Sequence, residues 1–399
     1  MKWFTGTPCN FEGTQTFFDR DSGLTMRGLS ALGVDTGSIT LGPARADDFP
    51  EMTRATQAEL ENPEWWLALH LDGLIFYTWG QPRYINMVRA AKKAGILVAQ
   101  VTDAQGIMSP LADWSAHIRA ENAYFWQETR WKRMLRWVCK ILYSHTIRLF
   151  TRDLAIVRAI GSSDRFFCVT PNAEKRFRKL VSRLGHTKTA EHIHFVPLPV
   201  NFHFCYDGSI PKINDVVAVG RWDSYQKRTP LLMESITKFL DSRQDVRFRI
   251  FGTTTPELND WHMKLPSEKR HCVILEGLIP NDQLVAPFQS AKVMLVSSAY
   301  ESFHIASAEA ICCGASVVAC RSPFLDPIEW QASRNSGRLA DRATGESLAQ
   351  TLLDELAAWD KGERDPIAIS AAWAHELHPD RVAARILELC QSSISQPEQ

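Results

Sequence analysis

Short runs rich in β-branched and aromatic residues alternate with longer stretches of helical period along almost the whole chain. No other feature restricts the fold as much. The runs expected as strands are 2–8, 38–41, 73–79, 96–102, 166–169 and 194–196, then 216–219, 246–251, 273–275, 292–297 and 316–320. Helical patterns lie between them, among others at 84–93, 231–239, 282–290, 302–313 and 347–359. Most of the strand runs are apolar throughout rather than alternating, as expected when both sheet faces are buried. Such a pattern specifies parallel sheets covered by helices on both faces, an α/β chain.

With 399 residues, the chain exceeds the roughly 250–300 at which one core stops growing, so two domains are expected. The stretch FVPLPVNFHFCYDGSIPKIND at 195–215 breaks the rhythm with three prolines and no amphipathic period. The expected organisation is a first domain over 1–200, a linker at 201–215, a second domain over 216–378, and a C-terminal helix and tail at 379–399. The helical pattern at 379–391 suits docking on either domain.

Composition closes off other classes. The 45% hydrophobic and 23% charged residues exclude a disordered or fibrous chain. A balance of 45 Lys+Arg against 45 Asp+Glu excludes a uniformly basic nucleic-acid binder. That zero is a sum of unequal halves, with 25 basic and 19 acidic residues in 1–200 but 20 and 26 in 201–399. The nine cysteines form no CxxC pair, which points to free thiols in a reducing cytosol rather than disulfides or structural zinc. The start MKWFTGTP lacks the apolar core of a signal peptide, and no run of about 18 apolar residues occurs. The expected location is cytoplasmic, with at most lateral contact to the inner face of a membrane.

Three signals of chemistry fall in the second half. In VVAVGRWDSYQKRT (216–229) a strand ends in Gly220 and Arg221, and Lys227 follows. A glycine at the carboxyl end of a parallel strand, followed by cations, sets positive charge where α/β sheets bind ligands. Two such cations suit a pyrophosphate without a metal. The stretches VRFRIFGTTTP (246–256) and VILEGLIPNDQLVAPFQSA (273–291) each end a strand in a turn-forming residue at the same edge. In KVMLVSSAYESFHIASAEAICCGASVVAC (292–320) a strand leads to Glu301 and Ser302. A helix expected from Ser302 places Glu301 at its mouth and Glu309 about 12 Å along it. Glu309 sits among Ala308, Ala310, Ile311 and Cys312, where an unpaired carboxylate costs several kcal/mol. Something must hydrogen-bond it, and vicinal sugar hydroxyls would serve.

The ordered set GR…K, strand-FG, E-G-x-I-x-x-x-x-L and E-x-F-x-x-x-x-x-E-A…G resembles the GT-B retaining glycosyltransferases of family 4 (glycosyl transferases group 1). The specific motifs cover most of 215–320; the first domain is similar only in its alternation and the linker position. The resemblance implies two Rossmann-like domains facing across a cleft, and hexosyl transfer from a nucleotide sugar, by family habit a UDP-sugar, to a hydroxyl acceptor. UDP is then a product, and no cofactor or metal is needed. Arg221 and Lys227 would stabilise the leaving diphosphate, while Glu301 would face the donor-sugar hydroxyls and Glu309 the ribose. Leu278 and Ile279 stand at the base-binding position. Gly220, Ser302, Phe303 and His304 complete the donor side, and Gly13 in PCNFEGTQ resembles the glycine loop near the phosphates.

Departures from the family are informative too. His304 replaces the usual glycine, where it would narrow the donor pocket or add a cation near the phosphate. Ser316 replaces a proline. Thr102-Asp103 replaces a first-domain histidine, and Asp103 either contacts the acceptor or caps a turn. Two other readings stay open, a sugar phosphorylase of the same fold and a non-catalytic nucleotide-sugar-binding protein.

Residues 130–183 hold 14 Lys/Arg and three acids, with Trp131, Trp137, Leu142 and Phe150 interleaved among the cations at the start. This reads either as a basic amphipathic helix on an anionic membrane or as a core-packing helix with a solvated basic face. A cation-rich surface also suits an anionic soluble acceptor. The acceptor itself, whether glycan, lipid-linked or small molecule, is left open.

Overall fold

A computed structural model describes residues 1–10, 17–18, 21–104, 109–118 and 129–391. Two compact units emerge, one of Met1–Pro199 with Pro379–Gln399 and one of Val200–His378. Each is built on a single parallel sheet.

The first sheet has the order β3-β2-β1-β4-β5-β6-β7. Its strands are β1 (Lys2–Thr7), β2 (Asp35–Leu41), β3 (Met52–Ala55), β4 (Gly73–Tyr77), β5 (Leu97–Thr102), β6 (Arg165–Cys168) and β7 (Ile193–Phe195). The second has the order β10-β9-β8-β11-β12-β13. It comprises β8 (Ile213–Val219), β9 (Arg247–Phe251), β10 (Val273–Gly277), β11 (Ala291–Val296), β12 (Ser316–Cys320) and β13 (Gly337–Ala340). Central strands such as β4 (GLIFY) and β12 (SVVAC) are buried at every position. Helices on both faces are therefore obligatory, and the pattern in the sequence is explained.

The two strands without a sequence signal, β3 and β13, each lie at one edge of their sheet, with β7 and β10 at the opposite edges. Their sequences, MTRA and GRLA, carry an arginine each and are mostly half-exposed. An edge strand buries one side only, so its apolar signature is weak.

The C-terminal helix Pro379–Gln391 packs against helix Asp21–Ala31 of the first unit. Gly28 makes this contact possible, since a Cβ there would lie 2.0 Å from the Pro379 carbonyl oxygen. In the second unit the proline-bearing stretch is pinned down. Phe204 is fully buried against Phe288, and the Lys212 ammonium donates to the carbonyls of Phe288, Ala291 and Cys313.

In each sheet the strand order reverses at one place, between β1 and β4 and between β8 and β11. Ligands of open α/β sheets bind outside the carboxyl ends of the strands at such a switch point.

Candidate functional site

The loops that leave β8 and β11 meet at the switch point of the second unit. The first is held rigidly. Trp222, buried, donates from its indole to the Phe251 carbonyl, and Thr229 Oγ1 donates to the Trp222 carbonyl. Between these anchors, Tyr225–Lys227 form a 3-10 turn. That turn is laced to the β11 loop: Ala299 N–H donates to the Gln226 carbonyl, and Ser297 Oγ to the Lys227 carbonyl.

Lys227 and Glu301 are brought together by this lacing. Lys227 Nζ lies 2.7 Å from Glu301 Oε1, with both side chains largely buried. Gln226 Nε2 donates to Glu301 Oε2 at 3.0 Å and to the Tyr300 carbonyl. Burial alone would raise the Glu301 pKa. The neighbouring His304 and Lys227, with hydrogen bonds from Lys227 and Ser298, overcome it and hold the carboxyl below its usual range. The residue is an anion at neutral pH.

The helix expected from Ser302 begins instead at Ile305 and runs to Cys312. Glu301 therefore lies on the preceding turn and is paired with a lysine, not set at a helix mouth. The reason is His304, whose backbone is left-handed at φ 64°. Glycine adopts that conformation freely and histidine does not, which gives a physical reason for the usual glycine. The side chain compensates by capping: Nδ1 accepts the Ser307 N–H. A nitrogen that accepts from a backbone amide carries no proton, so the hydrogen is on Nε2, which points toward Glu301 Oε1 at 3.9 Å. Burial, reinforced by nearby Lys227, pushes the His304 pKa down to about 3. The expectation of an added cation is thus corrected: His304 is neutral, since its buried ring would be charged at the expense of its own cap.

A buried neutral histidine has a consequence for acid stability. The unfolded chain takes up this proton at about pH 6.5 and the folded chain only near 3. Its contribution is complete above pH 6.5 and is lost as pH falls toward 3, about 2 kcal/mol by pH 5. His194, pushed by burial to about 4, adds in the same direction. Asparagine tolerates a left-handed backbone and can cap. His304→Asn should therefore melt with a visibly shallower loss between pH 7.5 and 5 than the parent in calorimetry. An unchanged pH slope counts against the assignment.

The other site residues take distinct places. Glu309, on the 305–312 helix, is buried and accepts from Asn281 Nδ2 at 2.9 Å. Asn281 follows Leu278 and Ile279 in the loop after β10, so this carboxylate and that loop form one wing. Leu278 is 81% exposed, open to stack against a flat group. Arg221 is exposed beside Gly220 and, among the described residues, forms no ion pair. Ser302 is half-buried. Phe303 is fully buried with its ring against Trp330, so its ring is closed to a ligand. Gly13 lies outside the described residues.

Gln226 and Ser298, which hydrogen-bond Glu301, and Asn281, which hydrogen-bonds Glu309, are partners that sequence reasoning missed. The demand for a partner to Glu309 was legible; that Asn281, 28 positions upstream, meets it was not.

In the first unit, Asp103 follows β5 and lines a cavity of about 490 Å³ with Trp79, Gly80, Arg83 and Arg152. A larger hollow of about 990 Å³ beside β13 holds Arg321, Arg338 and Asp354 but none of the switch-point residues. Its volume is unmatched by convergent chemistry. Among the described residues, no three His, Cys, Asp or Glu side chains converge on a metal position.

Residues 213–357 match the family model "Glycosyl transferases group 1". The second unit carries a glycosyl transferases group 1 domain. Solved structures agree over nearly the whole chain. A glycosyltransferase from Rickettsia africae superposes with a TM-score of 0.64 at 12% identity, covering 99% of each chain. HepE of Anabaena in complex with UDP gives 0.63 at 12% identity, covering 98% of this chain and all of that one. The apo lipopolysaccharide outer core galactosyltransferase WaaB gives 0.60 at 12% identity with the same coverage. The two parallel-sheet domains thus have the architecture of the GT-B glycosyltransferases. No curated protein sequence matches this chain.

Proposed function

We propose that the protein is a retaining hexosyltransferase of glycosyltransferase family 4, moving a sugar from a UDP-sugar to a hydroxyl acceptor without a metal. One observation carries the reading: a buried Lys227–Glu301 pair at the switch point, with Glu309 on the adjoining helix. The UDP bound in the HepE structure supports the choice of nucleotide.

The reaction follows from these groups. The diphosphate competes with Glu301 for the Lys227 ammonium. Arg221, exposed beside it, adds a second charge. Freed of Lys227, Glu301 Oε1 accepts from donor-sugar hydroxyls, and His304 Nε2–H is a neutral donor at the same place. Glu309 takes the ribose hydroxyls, trading its bond with Asn281, while Leu278 and Ile279 hold the base. The acceptor oxygen bonds to the anomeric carbon on the face from which the diphosphate departs. The C–O bond breaks toward UDP, which keeps the electron pair and receives the acceptor proton. Charge on the leaving group is met by fixed cations, the effect that dominates such catalysis. The cavity with Asp103 is the acceptor's place in the first unit, and the enzyme works in the cytoplasm.

A panel of nucleotide sugars tests this, read by thermal stabilisation and nucleotide release with chelator present. We expect one UDP-sugar to stabilise the protein and release UDP when an acceptor is supplied, with the anomeric configuration kept in the product. Turnover only with sugar and inorganic phosphate would make it a phosphorylase, and stabilisation without turnover a binding protein.

A further inference from the structure

The helix Arg130–His145 has its apolar stripe on the outside. Trp131, Leu135, Val138 and Leu142 are spaced by four, three and four residues, which puts them within about 60° of one another around the helix. All four are between 49% and 61% exposed, and Ile147 and Phe150, beyond the helix, are exposed as well. Trp137 and Ile141, off the stripe, are the half-buried ones. A core-packing helix would show the reverse, so of the two sequence readings the structure excludes that one. Among the described residues, nothing covers the stripe. Single exposed apolar residues are ordinary, but a contiguous face is not.

Charge identifies what would cover it. The helix Arg130–His145 carries five Lys/Arg and no Asp or Glu. Lys132 and Arg136, both exposed, flank the stripe, and Lys132 Nζ stands 5.8 Å from the Trp131 ring centroid. A second copy of this chain would bring the same cations against these and repel. An anionic bilayer offers negative charge at its headgroups and apolar volume just beneath, which suits a face that is both basic and apolar. No helix among the described residues is long and apolar enough to cross a membrane, so contact is lateral.

We infer that the 131–142 face is a docking surface for an anionic lipid bilayer, with Trp131, Leu135, Val138 and Leu142 inserted below the headgroups and the flanking cations among them. The inference stands apart from the glycosyl-transfer reading, since it needs no catalytic residue.

The test is flotation of the full-length protein with phosphatidylcholine vesicles, with and without phosphatidylglycerol. Two double variants accompany it, Leu135→Ser/Val138→Ser and Lys132→Gln/Arg136→Gln, with melting curves confirming their fold. Expected are binding to the anionic vesicles only, weakening with salt, and a loss of about tenfold or more in partitioning for each double variant. Equal binding to neutral and anionic vesicles, or variants that float like the parent, would overturn it. So would a dimer on gel filtration that the serine variant dissolves, with no vesicle binding, because the face would then be a self-association surface.

Discussion

Lys227→Met is expected to lower kcat/KM for nucleotide-sugar turnover by about 10²–10³, the range seen when one preorganised donor to a developing anion is removed. The loss should fall mainly on kcat, because the charge is needed most when the diphosphate leaves. The substitution also strips Glu301 of its ion pair, and a buried carboxylate left alone destabilises by about 3 kcal/mol. Without Lys227, burial is opposed only by His304 and the Ser298 hydrogen bond, so the Glu301 pKa moves up. Turnover could then fail simply because the loop has loosened. The double variant Lys227→Met/Glu301→Gln separates the causes. A neutral amide beside a neutral thioether removes the orphan charge, so melting temperature should recover while turnover stays below that of Glu301→Gln alone, which already lacks the carboxylate that meets the donor sugar. Single-variant turnover within threefold of the parent would remove Lys227 from the reaction.

The sequence could show this much because the site is built from chain-local motifs. Gly220 to Lys227 is one loop and Glu301 to Glu309 one segment, and each follows a strand whose apolar run is unmistakable. What the sequence could not show depends on contacts between distant segments or on a single backbone angle. The helix at Ile305 starts three residues later than its period suggests, because His304 turns left-handed and caps it; hydrophobic spacing carries no record of either. Edge strands β3 and β13 lacked a pattern because half of each faces outward. The stripe at 131–142 has the same period whether it faces a core or the outside, so only its exposure decides. Periodicity reports which residues share a face; it does not report what that face meets.

Gly252→Ala is expected to destabilise the second unit by at least about 3 kcal/mol, a fall in melting temperature of roughly 6–12 °C for a domain of this size. Gly252 has φ 116°, and a Cβ there would stand 1.8 Å from the Gly220 carbonyl oxygen. Both partners are backbone, so no side chain can swing away. Relief requires the ends of β8 and β9 to part, breaking the Gly220 N–H bond to the Phe251 carbonyl at 3.1 Å. Gly220 cannot move alone. The Lys227 stem passes 3.2 Å from where a Cβ of Gly220 would be, so the shift carries the ammonium off Glu301 and turnover should fall with stability. Gly277→Ala is the control. Its φ of 76° is also left-handed, but nothing lies within 4 Å of the added methyl, leaving only a conformational penalty of about 1 kcal/mol. Equal losses in the two variants would mean that backbone angle alone matters and that the close approach of β8 and β9 does not position the site. A Gly252→Ala protein melting within about 2 °C of the parent would show that the two strand ends can separate freely.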